Sequence, residues 1–533
     1  MFDVDNYRYN TAVTCSVYQN YSVFVFKNSD IKVFESPDFE GLSKYLSGRK
    51  TYGFCSLNYV IPILLAAYKG SSSEELYKLS KSIINKEYTK TIQATKKHLD
   101  LGDIALCAGN RRAPLNLLVA RDHFENIEEL NFSYDQKLSD EQIKRVRENC
   151  IDKVLRLEYL KKKLEDEISI RALLSAQFNT NLMNKSNGDI VETIFSSVIE
   201  PDKIQKQQSV NDLEERNFQI GSMAYRARGG GLHSTESCRA IVNKKIVELD
   251  VISYYPSIIA KFGIQGLGVR FRDVYQDLIN RRIEAKKQGN DALSQGLKII
   301  INSLFGKLNC KFSVLYAPSD FEMVVREGQD RLLELIELIE GGGNSVVSAN
   351  TDGLFVVVGN DEALLKSCQD WEQKTGYILS RNEFTSLYSK DVNNYFAVKA
   401  EVPVSVKGRG IFGRNSLYKN PAGSVCAEAV INFAIYNIPI RETIIKESDI
   451  RKFLYVSSVK EGATHQGEYI GKVIRYYMSI NGSPFFYKNT RKKVEQTEKA
   501  KPLMILPHNT PGDIDYELYI ERAEKLAESV NLI

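Results

Sequence analysis

Val-Glu-Leu-Asp250-Val-Ile-Ser-Tyr-Tyr255-Pro256-Ser is the stretch from which the rest of this chain of 533 residues can be interpreted. The apolar run around Asp250 has the length and composition of a buried strand. Pro256 suits the first turn of a helix, so the sequence predicts a sharp strand-to-helix junction just after Asp250. An isolated aspartate on a strand is usually solvated or capped, and Asp250 taken alone favours that ordinary interpretation.

A second aspartate lies in Val-Val-Ser-Ala-Asn350-Thr-Asp352-Gly353-Leu-Phe-Val-Val-Val. Asp-Gly between two valine-rich runs is a strong hairpin signal, so Asp352 taken alone is a turn residue. Two aspartates carried together by neighbouring strands would repel each other unless a cation were bound. With few histidines and no CxxC pair, the ligands would be oxygens, which favours magnesium or manganese. Two such ions can promote an in-line displacement at a phosphate.

Basic side chains recur at helical spacing between the two aspartates. Lys298, Asn302 and Phe305 stand at i, i+4 and i+7 and share one helical face. Arg282 and Lys286 form a second i, i+4 pair one helix earlier. These cations could grip a phosphate group, whereas the alternative is an ordinary solvated helix face.

The composition is that of a soluble multidomain protein. The chain has 43% hydrophobic and 26% charged residues and a net charge of only +4, so any nucleic-acid groove must come from local clustering of Lys and Arg. Its length allows two to four domains. The longest apolar run, Tyr59–Tyr68, is too short to span a membrane. Scattered cysteines and the absence of a signal peptide predict a cytoplasmic protein.

The chain divides into recognisable stretches. β-rich runs at Ser22–Phe26 and Ile31–Phe34 predict an N-terminal α/β domain. The polar segment 201–217 predicts a surface connection, and residues 270–306 predict two helices joined by a turn. The glycines at 341–343 are expected to interrupt a region of strands around Asp352.

The three frames resemble motifs of family B DNA polymerases, in the compact branch encoded by phages and linear plasmids. The matching family patterns are D-x-x-S-L-Y-P-S, K-x-x-x-N-S-x-Y-G and D-T-D-S, in this order. Tyr225–Gly231 resembles the Y-x-G-G loop of that family, and Val406–Gly410 falls where the family has a K-x-Y motif. The resemblance implies an α/β and α+β multidomain fold, with an RNase H-like exonuclease domain and a right-hand polymerase. The implied segments are an exonuclease-like domain at 1–165, connection and first palm part at 166–265, fingers at 266–306, second palm part at 307–418 and thumb at 419–533.

The resemblance also implies a role for each matching residue. The implied roles are metal binding by Asp250, the Val251 carbonyl and Asp352; nucleotide binding by Tyr255, Arg282, Lys286, Lys298 and Asn302; and DNA binding by Tyr225, Gly229, Gly230, Lys407 and Arg409. Tyr255 would exclude a ribose 2′-hydroxyl. The implied cofactors are two Mg²⁺ or Mn²⁺ ions. The expected partners are primer–template DNA, deoxynucleoside triphosphates and replication accessory proteins, for a monomer in the cytoplasm of the cell, or of the host if phage-encoded.

The sequence departs from the family patterns at several positions. Asn350 and Gly353 replace the first aspartate and the serine of D-T-D-S, while Asp352 keeps the metal-binding aspartate. Phe305 and Arg409 each stand where the family has tyrosine. Activity is therefore expected to survive. The short spacings between the three frames argue against protein-primed synthesis and for ordinary primer extension.

The N-terminal domain resembles the proofreading 3′–5′ exonuclease of the family, but its catalytic positions carry no carboxylate. The degenerate positions are Cys15, Val17, Cys55, Val60, Val146 and Cys150. A domain without proofreading activity is therefore predicted, because these side chains cannot hold hard divalent cations. Open alternatives are residual exonuclease activity using other carboxylates, with Asp3 and Asp5 as a rival alignment, or a translesion or accessory polymerase. A nuclease and a non-catalytic DNA-binding remnant are weaker alternatives, because the polymerase motifs are intact.

Overall fold

A computed structural model of the chain describes residues 9–37, 39–88, 97–105, 113–196, 214–401, 403–414 and 416–533. The fold is mixed α/β and divides into two compact units. The first unit comprises Met1–Asn187, Asn415–Gly423 and Ser448–Asp515, and the second comprises Gly188–Arg414, Ser424–Glu447 and Tyr516–Ile533. The predicted connection at 201–217 lies outside the described residues as far as residue 213.

The first unit begins with a five-stranded mixed sheet. Its strands are β1 (Thr11–Val17), β2 (Ser22–Lys27), β3 (Ile31–Glu35), β4 (Thr51–Gly53) and β5 (His98–Asp100). The strand order is β3-β2-β1-β4-β5. β1, β2 and β3 pair antiparallel, whereas β4 runs parallel to β1 and β5 parallel to β4. The strands predicted at Ser22–Phe26 and Ile31–Phe34 are confirmed.

Helices cover both faces of this sheet. They are α1 (Leu42–Leu46), α2 (Val60–Tyr68), α3 (Ser73–Ile84), α4 (Leu101–Ile104), α5 (Leu115–Arg121), α6 (Asp140–Lys163) and α7 (Glu165–Gln177). The Ser139 side chain starts α6 by accepting a hydrogen bond from the Gln142 amide, in a capping box that the sequence encodes. Val146, Cys150 and Val154 recur every four residues on α6 and bury one face of the helix.

The sheet separates two apolar cores, because successive side chains of a strand point to opposite faces. Ala12 belongs to the core that α6 covers. Its neighbour Val13 belongs to the core that α2 and α3 cover. The same alternation places Val23 in the first core and Phe24 in the second. Each strand residue of the sequence is therefore assigned to one core by its parity.

The second unit contains a nine-stranded sheet in which all neighbouring strands pair antiparallel. Its strands are β6 (Arg216–Ile220), β7 (Met223–Arg228), β8 (Gly231–Ser234), β9 (Arg239–Val251), β10 (Ser345–Asn350), β11 (Gly353–Val357), β12 (Leu379–Asp391), β13 (Asn394–Lys399) and β14 (Val406–Arg409). The strand order is β14-β13-β12-β9-β11-β10-β8-β7-β6. β9 and β11 are thus neighbours although residues 252–352 separate them in sequence.

The helices of the second unit follow from clear local signals. They are α8 (Asn187–Ser196), α9 (Tyr254–Phe262), α10 (Gly268–Lys287), α11 (Asp291–Leu308), α12 (Pro318–Gly341), α13 (Asp361–Thr375), α14 (Ser424–Tyr436), α15 (Ile440–Lys446) and α16 (Tyr516–Glu528). The predicted helix pair within 270–306 is confirmed, and Asn290 caps α11. The prediction for glycines 341–343 was wrong. These glycines end α12 and do not interrupt strands, because the apolar positions before them repeat with helical period.

The first unit is completed by a four-stranded sheet from the C-terminal part of the chain. Its strands are β15 (Tyr455–His465), β16 (Glu468–Met478), β17 (Phe486–Tyr487) and β18 (Ala500–Pro502). The buried Arg475 guanidinium donates hydrogen bonds to the carbonyl oxygens of Phe124 and Glu125, at 2.5 and 2.8 Å. This buried cation ties the sheet to the N-terminal part of the unit. The segment predicted as the thumb, 419–533, therefore contributes to both units, and the predicted domain boundaries stay predictions.

Within the described ranges, none of the helices combines the length and the apolar composition that a membrane-spanning segment requires.

Candidate active site

The two aspartates singled out from the sequence meet where β9 lies beside β11. Asp250 is the cross-strand partner of Gly353, the residue after Asp352. The Val251 amide donates a hydrogen bond to the carbonyl oxygen of Asp352 at 2.8 Å. Because this bond joins the end of β9 to the β10–β11 turn, the backbone fixes one aspartate relative to the other.

Asp352 lies in the turn between β10 and β11, where its Asp-Gly sequence predicts a turn, and the backbone of this turn is strained. Thr351 has φ 61°, and the Asp352 amide donates across it to the Asn350 carbonyl at 2.7 Å. A three-residue turn with a positive central φ is rare and unfavourable for a β-branched residue. The Thr351 amide also donates to the Leu232 carbonyl at 2.7 Å, which anchors the turn on β8. Strain of this kind is typical of functional sites.

The departures from the D-T-D-S pattern have local structural reasons. The Asn350 side chain accepts a hydrogen bond from the Thr351 hydroxyl at 3.1 Å and donates to Asn393 Oδ1 at 3.3 Å. Asn350 therefore organises the turn through its amide. A Cβ at position 353 would lie 2.2 Å from Asp250 Oδ1, so Gly353 leaves the space that the Asp250 carboxylate occupies.

The two aspartates open into a cavity of about 430 Å³ in the second unit. The residues that line it are Glu248, Asp250, Ser348, Asn350, Asp352, Gly353, Leu354, Phe355, Val392, Tyr395, Lys407, Gly408 and Arg409. The cavity thus brings Lys407 and Arg409, predicted to contact DNA, to the carboxylates. Sequence reasoning missed Glu248. Its signal was its position two residues before Asp250, since residues i and i+2 of a strand share a face.

Burial and repulsion keep these carboxyl groups easy to protonate. Burial raises the pKa of Asp250 to about 6, assisted by the negative charges of Glu248 and Asp352 and opposed by Lys407 and Arg409. Burial also raises the pKa of Asp352. A cation bound between the two aspartates would remove both sources of the shift, because it replaces lost hydration and cancels the repulsion.

The oxygen donors present suit a hard divalent cation. Asp250 and Asp352 offer carboxylates, and the space at Gly353 keeps the Asp250 oxygen accessible to the cavity. Among the described residues, no group of three His, Cys, Asp or Glu side chains is arranged to hold a metal. Magnesium is commonly bound by one or two carboxylates together with substrate phosphates and water, so two aspartates fit that ion. Val251, whose carbonyl is the third predicted ligand, is buried beside Asp250 on β9.

The predicted sugar gate belongs to an aromatic stack at the start of α9. Tyr255 stacks on Phe305 with ring centroids 4.2 Å apart, and Phe305 stacks on Phe321 at 4.7 Å. The Tyr255 hydroxyl donates to the Gly230 carbonyl at 2.9 Å. The helical face that carries Phe305 therefore turns towards Tyr255. The i, i+4, i+7 spacing predicted a shared face for Lys298, Asn302 and Phe305, and it did not predict this contact.

The predicted phosphate-binding cations differ in their surroundings. Arg282 Nη1 donates to Ser253 Oγ at 2.9 Å, which places this guanidinium at the end of β9. Burial lowers the pKa of Arg282. Lys286, Lys298 and Asn302 lie on exposed parts of α10 and α11, and their side chains make no hydrogen bond or ion pair within the described part of the chain.

The predicted template-binding loop is a hairpin turn between β7 and β8. Gly229 and Gly230 are exposed at its tip, and a Cβ at Gly230 would meet no atom within 4 Å. Tyr225 is completely buried in β7, and its hydroxyl finds no partner among the described residues. Its ring therefore supports the hairpin from inside and has no surface that could touch a template strand directly in this conformation.

Lys407 and Arg409 are presented by a glycine-rich strand. A Cβ at Gly408 would lie 2.0 Å from the Phe412 carbonyl, so the chain can fold back here only with glycine. The Lys407 ammonium forms an ion pair with the buried Glu248 carboxylate. Arg409 is exposed at the cavity rim, and its charge opposes the rise in the pKa of both aspartates.

The degenerate exonuclease positions are divided between the two apolar cores on either side of the sheet, except Cys55. Cys15, Val17 and Val60 belong to the core under α2 and α3, whereas Val146 and Cys150 belong to the core under α6. The three cysteines therefore form no soft-metal site, and Cys55 is exposed.

Ser16 is the β1 residue that faces α6. The Cys150 thiol donates to Ser16 Oγ at 2.9 Å, and Lys153 Nζ donates to the same oxygen at 3.3 Å. Burial raises the pKa of both Cys15 and Cys150, so these thiols stay protonated. Asp3 and Asp5, the rival positions, lie outside the described residues.

Comparison with known proteins gives a partial similarity. No family model matches the chain. A stretch of 137 residues is 30% identical to DNA polymerase II of Escherichia coli (strain K12), which covers 21% of this chain and 18% of that protein. A solved family B DNA polymerase from the hyperthermophilic archaeon Pyrobaculum calidifontis aligns with a TM-score of 0.46 and 15% identity, over 98% of this chain and 77% of that one. The curated match thus spans less than a fifth of the bacterial polymerase.

Proposed function

We propose that this chain is a template-directed DNA polymerase that extends a primer 3′ end with deoxynucleoside triphosphates by two-metal phosphoryl transfer. The observation that carries the proposal is the meeting of Asp250 and Asp352 in one cavity, joined by the hydrogen bond from Val251 to Asp352. The similarity to a bacterial DNA polymerase over 137 residues supports the same reading.

In this mechanism the aspartates would hold two magnesium or manganese ions, assisted by the Val251 carbonyl. Such ions would supply activation of the primer hydroxyl and neutralisation of the charge on the leaving pyrophosphate. The chain itself positions the reactants. Arg282 reaches the end of β9, where its guanidinium can meet a triphosphate. The exposed Lys286 and Lys298 would complete the phosphate contacts, and Asn302 would support them.

Tyr255 discriminates against ribonucleotides in this proposal. The hydrogen bond to Gly230 and the stack on Phe305 hold its ring, so a change of rotamer would lose both contacts. A rigid ring under the sugar would collide with a 2′-hydroxyl, while a deoxyribose would be accepted.

Residues 1–165 are proposed to form an RNase H-like exonuclease domain without catalytic activity, and the connection, palm, fingers and thumb segments are proposed with the bounds given above. The five-stranded sheet with an antiparallel half and a parallel half agrees with this expectation. Cys, Val and Cys stand where metal-binding carboxylates would be needed, and they are mostly buried in apolar cores. Primer–template DNA, nucleotides and accessory proteins as partners, a monomeric state and a cytoplasmic location are parts of the same proposal.

The test is extension of a 5′-labelled primer on a template by the wild type and by Asp352→Asn. Loss of one metal-binding carboxylate should lower the extension rate by about 10³-fold or more. The matched control is Asp370→Asn, which changes an exposed aspartate on α13 of the same unit. Undiminished extension by Asp352→Asn would contradict the metal assignment, and no extension by the wild type would contradict the proposed function.

A further inference from the structure

Glu248 occupies the catalytic cavity without having any place in the sequence motifs. It lies two residues before Asp250 on β9, and its side chain is only 4% exposed. Both of its carboxylate oxygens are engaged: Oε1 pairs with the Lys407 ammonium, and Oε2 accepts a hydrogen bond from Asn382 Nδ2 at 3.3 Å. A buried carboxylate so fully occupied is fixed in place.

The balance of charges that line the cavity indicates a role for Glu248. Beside the aspartates Asp250 and Asp352 stand two cations, Lys407 and Arg409. The Lys407 ammonium reaches the carboxylate of Glu248, which lies two residues from Asp250 on the same face of β9, so the lysine charge lies near Asp250. Without a further acid, these two cations would be sufficient to neutralise the aspartate pair and would compete with a divalent ion for it.

Glu248 takes one of the two cations out of that competition. Its contact with Lys407 crosses two strands of the sheet, because β12 and β13 lie between β9 and β14. The lysine stem is thus stretched towards Glu248, while its side chain remains 39% exposed. With Lys407 engaged, the cavity keeps an excess of negative charge at Asp250 and Asp352.

We propose that Glu248 is a positioning residue that holds Lys407 away from Asp250 and Asp352, and thereby keeps these aspartates free to bind divalent cations. The inference rests on the proposed function, since it concerns the same two aspartates. It also changes the expected role of Lys407. In this chain the lysine is first a counter-charge to Glu248, and any contact with a primer strand is made from that position.

The test measures metal binding directly, without catalysis. The purified full chain is titrated with Mn²⁺, and free Mn²⁺ is followed by electron paramagnetic resonance. Glu248→Gln releases Lys407 to pair with the aspartates, so Mn²⁺ affinity should fall about tenfold, equivalent to about 1.4 kcal/mol. The double variant Glu248→Gln/Lys407→Met removes the competitor and should restore affinity to within about twofold of the wild type.

The matched control is Asp515→Asn in the first unit. Asp515 is also a buried carboxylate paired with a lysine, Lys499, at 2.6 Å. This variant should leave Mn²⁺ binding unchanged, which separates the loss of a specific pair from a general effect of removing a buried acid. Thermal unfolding followed by circular dichroism confirms that each variant is folded.

Three results would overturn the inference. Wild-type affinity in Glu248→Gln would show that Glu248 does not control the site. An equally weak double variant would show that Glu248 acts without Lys407. If Glu248→Gln does not fold, Lys407→Met alone carries the test and should bind Mn²⁺ at least as tightly as the wild type, because the lysine is already kept from the aspartates and its loss leaves an additional acid, so weaker binding is the contrary result. Absence of any wild-type Mn²⁺ binding that Asp352→Asn abolishes would instead contradict the proposed function itself.

Discussion

The carboxylate cavity of the second unit contains buried acids, whereas the degenerate positions of the first unit contain none. In the cavity, Asp250 lies beside other acids, and burial together with their negative charges raises its pKa to about 6. In the first unit, Cys15, Val17 and Cys150 are buried in apolar cores with no carboxylate among them. Keeping a buried charge lowers stability, whereas an apolar replacement adds to it. The apolar residues at the degenerate positions therefore stabilise the fold. The acids of the cavity lower its stability, and binding of a cationic ligand would explain why they are present.

The largest effect is expected when a carboxylate is placed at one of the degenerate positions of the first unit. Cys150→Asp would bury a carboxylate against Val146 and Val154, with the Lys153 ammonium on the neighbouring Ser16 hydroxyl as its nearest cation. We expect the free energy of unfolding to fall by about 3 kcal/mol, because one nearby lysine offsets only part of the desolvation of a fully buried carboxylate. Denaturant unfolding followed by circular dichroism measures it.

Cys150→Ser is the matched control for that change, since it keeps the size and can still donate to Ser16. Its expected loss is about 1 kcal/mol. Equal stability of Cys150→Asp and the wild type would mean that this position is still adapted to carry a charge, and the contrast between the two units would fail.

The pH dependence of stability tests the buried acid of the cavity directly. The pKa of Asp250 is raised from 3.8 to about 6 in the folded chain. The protonated form therefore stabilises the fold, fully below the unfolded pKa, and this contribution is lost as the pH rises through the folded pKa. In buffer with a chelator, the wild type should lose up to about 2 kcal/mol between about pH 4 and pH 7, after allowance for the partial exposure of Asp250.

Asp250→Asn removes this titration and provides the reference curve. The difference in unfolding free energy between the two proteins, measured across the same pH range, isolates Asp250. Parallel curves would show that Asp250 does not titrate abnormally. Added Mg²⁺ should restore wild-type stability at neutral pH but leave Asp250→Asn little changed, because the ion needs the carboxylate.

Sugar discrimination tests whether the cavity and the aromatic stack work as one site. Tyr255→Ala removes the ring that Gly230 and Phe305 hold in place. We expect the preference for deoxynucleotides over ribonucleotides to fall by about tenfold or more in single-nucleotide insertion. Tyr255→Phe keeps the ring and should keep most of the preference. Unchanged discrimination in Tyr255→Ala would remove Tyr255 from the sugar-binding role.

The last prediction is that the chain does not remove a mismatched primer end. A 5′-labelled primer with a mismatched 3′ end, incubated with template and Mg²⁺ but no nucleotides, should keep its full length under conditions that extend a matched primer. This follows because the degenerate positions offer thiols and aliphatic groups in place of hard ligands. Shortening from the 3′ end, once a contaminating nuclease is excluded, would place active carboxylates elsewhere, with Asp3 and Asp5 as the first alternatives.

Several features of the molecule could be predicted from the sequence because their signals are local. The turn at Asp352, the strand that ends at Asp250 and the helix pair joined at Gly289 depend on residues adjacent in the chain. The face shared by Asn302 and Phe305 follows from helical period alone. Where a local signal was ambiguous, the prediction failed, as for the glycines at 341–343, which end a long helix.

The sequence alone indicates that the two aspartates lie close to the ends of predicted strands and that the six exonuclease-motif positions of the first unit carry no acid. Which residues surround these positions depends on the tertiary structure. Glu248 and Lys407 are far apart in the chain, and their ion pair exists because the sheet brings β14 and β9 within reach of one long side chain. In the same way, the parity of β1 turns Ser16 and not Cys15 towards Cys150. Propensity and period act over a few residues, whereas the charge balance of a cavity depends on strand order and on which faces meet.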